Sequence, residues 1–140
     1  MGEARQAMDR VTDAIVRGDW EGVAACYADD AVAVTPDLGE IKGGENIADY
    51  VRTFGAAMPD LRWESVYSYE AEDAAYDEGF VCGTFTEPLV LPDGSTIPPT
   101  GKALRLRECD AVTVAGGRIT SHRFYYDQLD MFEQLGVSPQ

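Results

Sequence analysis

The fold is decided by the run KALRLRECDAVTV (102–114), AGG (115–117) and RITSHRFYY (118–126), followed by DQLD (127–130). Side chains alternate sides along a strand. In the first run Leu104, Leu106, Val112 and Val114 therefore share one face, and that face also carries Glu108 and Asp110. The other face carries Arg105, Arg107, Cys109 and Thr113. A carboxylate on a core-facing side is costly unless it is paired or protonated. Such a placement marks a candidate site.

The register of this hairpin follows from its turn. A three-residue loop, Ala115-Gly116-Gly117, with a left-handed glycine forming a bulge, pairs Val114 with Arg118. Period two then sets Asp110 opposite His122, Glu108 opposite Phe124 and Leu106 opposite Tyr126. Directly opposed residues share a face. One face is thus expected to hold Glu108, Asp110, His122, Phe124 and Tyr126. A two-residue loop would set Asp110 opposite Arg123, as an outward ion pair. The bulged register is preferred because it keeps Phe124 on the aliphatic face.

Upstream, Ala4, Ala7, Met8, Val11, Ala14 and Ile15 recur at helical spacing over residues 3–17, and Gly18 ends that helix. Asp19 caps a second helix that places Trp20, Val23, Ala24 and Tyr27 on one side. Residues 27–32 leave that helix as a short strand, and Thr35 to Gly39 reads as a turn. A third helix follows Gly43-Gly44, with Ile47, Val51, Phe54 and Met58 on one face, and Pro59 stops it. From Leu61 the pattern changes to period two, giving strands near 62–70, 75–86, 102–114 and 118–126. Residues 88–101 contain four prolines and two glycines and read as a long loop, of the kind that often forms a lid or binding wall. Helices followed by a run of antiparallel strands predict an α+β domain with helices on one face of the sheet.

At 140 residues, 45% of them hydrophobic, the chain is expected to fold as one domain over 1–140. No apolar run approaches the roughly 20 residues needed to span a bilayer, and MGEARQ lacks the pattern of a secretory signal. The net charge of −14, from 11 basic and 25 acidic residues, argues against nucleic acid and against anionic membranes as partners. Cys26, Cys82 and Cys109 are scattered and lack metal-ligand spacing, so they read as reduced thiols of a cytoplasmic protein. No phosphate-binding loop, dinucleotide fingerprint or nucleophile elbow occurs. Neither a metal nor a cofactor is expected.

The order of elements, together with Asp19-Trp20 and Tyr27-Ala28-Asp29-Asp30-Ala31-Val32, resembles the nuclear-transport-factor-2-like superfamily. Gly43-Gly44-Glu45, Ile97 to Lys102, Gly117-Arg118-Ile119, Asp127-Gln128-Leu129 and Gln134-Leu135-Gly136 make it similar to the SnoaL-like branch, named for a polyketide cyclase. The resemblance implies a cone: three N-terminal helices packed on a strongly curved, mostly antiparallel sheet, a short C-terminal helix, and a pocket inside. It also implies cofactor-free acid/base chemistry (cyclisation, isomerisation, dehydration or hydrolysis) on a small hydrophobic, polyketide-like molecule. A homodimer is expected by the same analogy, through the face bearing Arg105, Arg107, Arg123 and Tyr125. Two departures stand out. Aldol-type cyclases carry an acid/base Asp after a His-Arg pair, where this chain has Phe124 after His122-Arg123. Ketosteroid isomerases carry a base Asp near the position of Thr35 and a Tyr near that of Val11. The alternative is therefore a non-catalytic ligand-binding or dimerisation module.

The candidate catalytic residues are Asp110, His122 and Glu108, with His122 expected as the base or proton shuttle and Asp110 as its orienter or a hydrogen-bond donor. A carboxylate beside an imidazole orients its ring, and two carboxylates two residues apart on one face lie about 6.5–7 Å from each other by strand rise. Like charges so placed push one pKa up, which would make a general acid. Tyr27, Thr35, Phe54, Trp63, Phe85, Phe124 and Tyr126 are the candidate substrate-binding residues. Asp127 is read as a helix cap.

Overall fold

A computed structural model describes residues 2–138; Met1, Pro139 and Gln140 lie outside the described residues. The chain runs α1 (Glu3–Arg17), α2 (Trp20–Ala25), β1 (Tyr27–Thr35), β2 (Gly39–Lys42), α3 (Gly44–Ala57), β3 (Arg62–Ala71), β4 (Ala74–Thr84), β5 (Leu89–Val90), β6 (Thr96–Ile97), β7 (Ala103–Ala115), β8 (Arg118–Tyr126) and α4 (Gln128–Leu135). Six strands form one curved sheet in the order β2-β1-β8-β7-β4-β3, and β5 with β6 forms a separate small hairpin. All pairings in the large sheet are antiparallel except β1 with β8. This is the predicted α+β architecture.

Local chemistry explains the boundaries. In α1 the buried face is Ala4, Ala7, Met8, Val11 and Ala14. Its three alanines let the helix sit close to the sheet, and Arg5 fastens it there through two hydrogen bonds, of 2.7 and 2.8 Å, to the Asp77 carboxylate on β4. Gly18 closes the helix in the left-handed conformation, at φ 70°, which glycine adopts without steric cost. Asp19 caps α2 by accepting the Gly22 amide at 2.9 Å. Met58, with φ −129°, leaves the helical region immediately before Pro59, because the proline ring clashes with a helical predecessor.

The β7–β8 hairpin differs from the expected register. Its loop has two residues, Gly116 and Gly117, with φ 60° and 78°, and Ala115 pairs with Arg118. Two consecutive positive φ angles suit the tight turn whose twist matches the strands. A shift then occurs between Thr113 and Val114: Val114 faces Ile119, whereas Thr113 faces Ser121, so Thr120 is the extra residue. The bulge therefore lies in β8 and not in the loop. Asp110 is opposite Phe124 rather than His122, Val112 is opposite His122, and Glu108 is opposite Tyr126 rather than Phe124. The displacement from expectation is two residues. Period two returns every side chain to the same face, so the predicted grouping of Glu108, Asp110, His122, Phe124 and Tyr126 holds.

Two apolar clusters fill the interior. One joins α1, α3, β1 and the β7–β8 turn end. The other gathers Met58, Phe85, Leu89, Leu104, Leu106, Met131 and Leu135. The segment read as a long loop holds the β5–β6 hairpin, and its Leu89 is buried in the second cluster. Pro88, Val90, Leu91 and Pro92 line an outer groove against α3 instead of the interior.

Candidate active site

His122 is almost fully buried, at 1% exposure. Its Nε2 lies 2.6 Å from Asp110 Oδ2, and its Nδ1 lies 2.7 Å from the Tyr27 hydroxyl. A neutral imidazole satisfies both contacts: Nε2–H donates to the carboxylate, and the Tyr27 O–H donates to Nδ1. Burial, followed by the nearby Asp110 charge, pushes the Tyr27 phenol well above its usual range, so it stays protonated. Phe124 stacks on the imidazole at 3.9 Å between ring centres. His122 and Tyr27 therefore form a buttress behind Asp110, while Asp110 itself reaches an internal cavity.

That cavity has a volume of about 110 Å³ and is mainly apolar. Phe54, Trp63, Phe124, Tyr50 and Tyr126 supply rings, and Met58, Leu104, Leu106 and Met131 supply aliphatic wall. Its exposed lining residues, Val16 and Arg62, mark the mouth between the end of α1 and the start of β3. Glu108 also lines it. Burial first, and then the adjacent Asp110, pushes the Glu108 carboxyl well above the ordinary carboxylate range, and no side-chain hydrogen bond offsets that. Among the described residues no sealed polar side-chain atom lacks a partner, so the Glu108 oxygens open onto the cavity. Glu108 is thus a carboxyl that burial and the Asp110 charge hold well above the ordinary carboxylate range, two residues from a buttressed Asp110.

Tyr50 and Tyr126 close another wall. Their hydroxyls lie 2.7 Å apart, and Tyr50 donates to Asp37 Oδ1 at 3.0 Å. Because that bond uses the one Tyr50 proton, Tyr126 donates to Tyr50. Burial is the main cause that holds both phenols above their usual range.

Of the expected residues, Asp110, Glu108, Phe54, Trp63, Phe124 and Tyr126 line this one cavity. His122 joins them through Asp110. Tyr27 lies behind His122. Thr35 is buried in the β1 turn, where its hydroxyl accepts the Leu38 amide at 3.1 Å. Phe85 lies in the second apolar cluster. Sequence reasoning missed Tyr50, although the Ile47, Val51, Phe54 stripe that it identified on α3 already marked the buried side next to it. It also missed Arg62 at the mouth. Among the described residues no three His, Cys, Asp or Glu side chains come together as a metal site, and no helix is long and apolar enough to cross a membrane.

A curved six-stranded sheet holding helices over an internal cavity is the nuclear-transport-factor-2-like fold, and an NTF2-like protein of Burkholderia pseudomallei superposes with a TM-score of 0.76 at 18% identity over 96% of this chain and 98% of its own. The SnoaL-like domain model matches residues 8–122, and the chain belongs to that family. A proposed SnoaL-like polyketide cyclase from Jannaschia sp. CCS1 aligns with a TM-score of 0.82 and 15% identity, covering 98% of this chain and 94% of that one. An M. tuberculosis epoxide hydrolase resembling the limonene-epoxide type aligns at 0.70 and 23% identity, covering 95% and 89%. At these identities the likeness is one of fold. No curated protein matches the chain.

Proposed function

We propose that the protein is a cofactor-independent acid/base enzyme acting on a small hydrophobic, polyketide-like molecule bound in the cavity. The observation that carries this reading is the juxtaposition in the cavity of Glu108, which makes no side-chain hydrogen bond and whose carboxyl burial and the Asp110 charge push upward, and Asp110, held from behind by His122. Asp110 would take a proton from the substrate, and Glu108 would give one to the oxygen on which charge develops. The net change is an isomerisation, or a gain or loss of water when water enters or leaves. His122 and Tyr27 are positioning residues: they fix the orientation of the Asp110 carboxylate. Catalysis of this kind supplies about 10²–10⁴-fold, and the shaped cavity must supply the rest. The solved structures named for polyketide cyclases and an epoxide hydrolase are compatible with that range of chemistry.

The test is to incubate wild-type protein, Glu108→Gln and Asp110→Asn with polyketide-derived and other small apolar metabolites. Mass spectrometry and chromatography then follow isomers and hydration products. Turnover should fall at least about 100-fold in either variant. Turnover equal to wild type in both, with fold retained, would sink the acid/base reading.

A second reading, a non-catalytic ligand-binding module, draws on two observations. Phe124 stacks on His122 where aldol-type cyclases carry their acid/base Asp. The cavity, at about 110 Å³, is also smaller than the roughly 300–1,000 Å³ of most ligand sites. Binding without turnover across the same metabolites would favour it. In either case we place the protein as a homodimer in a reducing compartment, where its three free thiols stay reduced. The dimer would use the outer sheet face, on which Tyr67, Tyr69 and Tyr125 are more than half exposed. Light scattering at micromolar concentration should give twice the 15.3 kDa chain mass; a monomer would rule the dimer out.

A further inference from the structure

We infer that Tyr50 is a specificity-determining residue of the cavity: its side chain is the wall that this space shares with a larger outer groove, and it limits the enclosed part of the substrate to about one ring. The inference rests on the cavity being the ligand site, and it names the shape of hydrophobic molecule that this site accepts.

Two spaces meet at this one side chain. The cavity, of about 110 Å³, lies between the helices and the sheet. The groove, of about 570 Å³, runs over α3 between the β1–β2 turn and the β5–β6 hairpin, and Leu38, Ile41, Val90 and Leu91 give it an apolar lining. Among the described residues Tyr50 is the one that lines both.

The shared wall is held shut. The Tyr50 hydroxyl accepts from Tyr126, which belongs to the cavity, and donates to Asp37, the neighbour of the groove residue Leu38. The ring packs against Phe54, at 75° with centroids 5.7 Å apart, and against Phe124, at 53° and 6.0 Å. These are the contacts of a packed core, and they leave the residue 8% exposed. Turning the ring aside would break both hydrogen bonds and leave buried oxygens to find new partners, which is costly.

A closed wall decides what fits. The remaining opening is the mouth at Val16 and Arg62, built from α1 and β3, neither of which contributes to the groove. An apolar cavity of about 150 Å³ takes benzene, so one ring fits here, with its polar atom toward Asp110 and Glu108. Any longer part of the molecule leaves through the mouth and stays in water. Shortening Tyr50 would join the two spaces and give an apolar chain a dry path into the groove. Selectivity of this kind comes from a wall set against the larger ligand, and not from a contact with the smaller one.

NMR titration of the full chain with phenol and with 4-hexylphenol tests the inference. In wild-type protein the hexyl chain should show contacts to the Val16 methyl groups and none to Val90, and Val90→Asp should change the affinity for neither compound. In Tyr50→Ala, affinity for hexylphenol should rise at least about tenfold, since each buried methylene is worth about fourfold, while affinity for phenol stays nearly level. The chain contacts should move to Val90, and adding Val90→Asp should remove the gain. Tyr50→Leu, which keeps an apolar side chain in the core, takes the place of Tyr50→Ala if that variant does not fold. A purely structural tyrosine would weaken both ligands alike. That result, chain contacts to Val90 in wild-type protein, a gain that survives Val90→Asp, or binding of neither compound to wild-type protein overturns the inference. The readout is binding alone, so absent turnover would leave the role of Tyr50 intact, and equal effects on the two phenols would leave the acid/base reading intact.

Discussion

Asp110 and His122 meet at 2.6 Å along a diagonal of the β7–β8 ladder, since Asp110 is opposite Phe124 and His122 is opposite Val112. The diagonal has a chemical consequence. It puts the imidazole behind the carboxylate, with Phe124 stacked over it, so Asp110 alone of the pair meets the cavity. Four expectations follow from this arrangement and its supports.

Tyr27→Phe removes the one hydroxyl that His122 Nδ1 contacts. A buried acceptor left unpaired costs about 1–3 kcal/mol. For a chain of this size each kcal/mol lowers the melting midpoint by about 2–4 °C. Calorimetric melting should show that loss, and nitrogen NMR of wild-type protein should find the proton on Nε2. An unchanged midpoint, or a proton on Nδ1, would contradict the buttress.

Glu108→Gln should change the pH dependence of stability. The folded carboxyl titrates well above its unfolded value, which is about 4.3. Between those two values the folded chain holds a proton that the unfolded chain has released. Stability therefore falls as pH rises through that window, by about 1.4 kcal/mol per pH unit at most. The amide has no such proton to hold. Relative to wild type, the variant should gain stability from weakly acidic to neutral pH and gain nothing below about pH 4. Urea midpoints measured across pH read the difference directly; parallel curves would refute it.

Asp127→Ala should cost about 1 kcal/mol, and Asp127→Asn almost nothing. The side chain accepts the Asp130 amide at 3.1 Å and starts α4, whose Met131 lines the cavity. Asparagine caps as well as aspartate does. Equal loss in both variants would mean that the charge, rather than the cap, matters.

Gly79→Ala should disturb the cavity from outside its lining. Gly79 faces Glu108 across the β4–β7 ladder. A Cβ there would overlap the Glu64 carbonyl oxygen and come within 2.9 Å of the Trp63 indole. Overpacking of this kind costs about 1–3 kcal/mol. Denaturation should show the loss, and near-UV circular dichroism should show a displaced tryptophan. A variant that matched wild type on both counts would mean that the indole moves aside freely.

Local rules settle whatever depends on neighbouring residues. Alternation in 102–114 placed Glu108 and Asp110 on the core side, and glycine and proline chemistry placed the ends of α1 and α3. The caps Asp19 and Asp127 were legible because a cap is a contact three residues long. The parity of the hairpin was legible as well, since a face error would have exposed Phe124, which is 7% exposed.

What the chain could not announce locally is set by long-range packing. The extra residue at Thr120 moves the ladder by two positions, and nothing within β8 distinguishes that bulge from one in the loop, because both keep the aliphatic face inward. Tyr27 reaches His122 across 95 positions of sequence, through a parallel β1–β8 pairing that only the curled sheet creates. Tyr50 joins Tyr126 from a different element, 76 positions away. From sequence alone the two acids had a face, and His122 had an expected neighbour. Which of them touches the cavity, and which is sealed behind it, was decided when the helices closed over the sheet and burial removed water from one side of the pair.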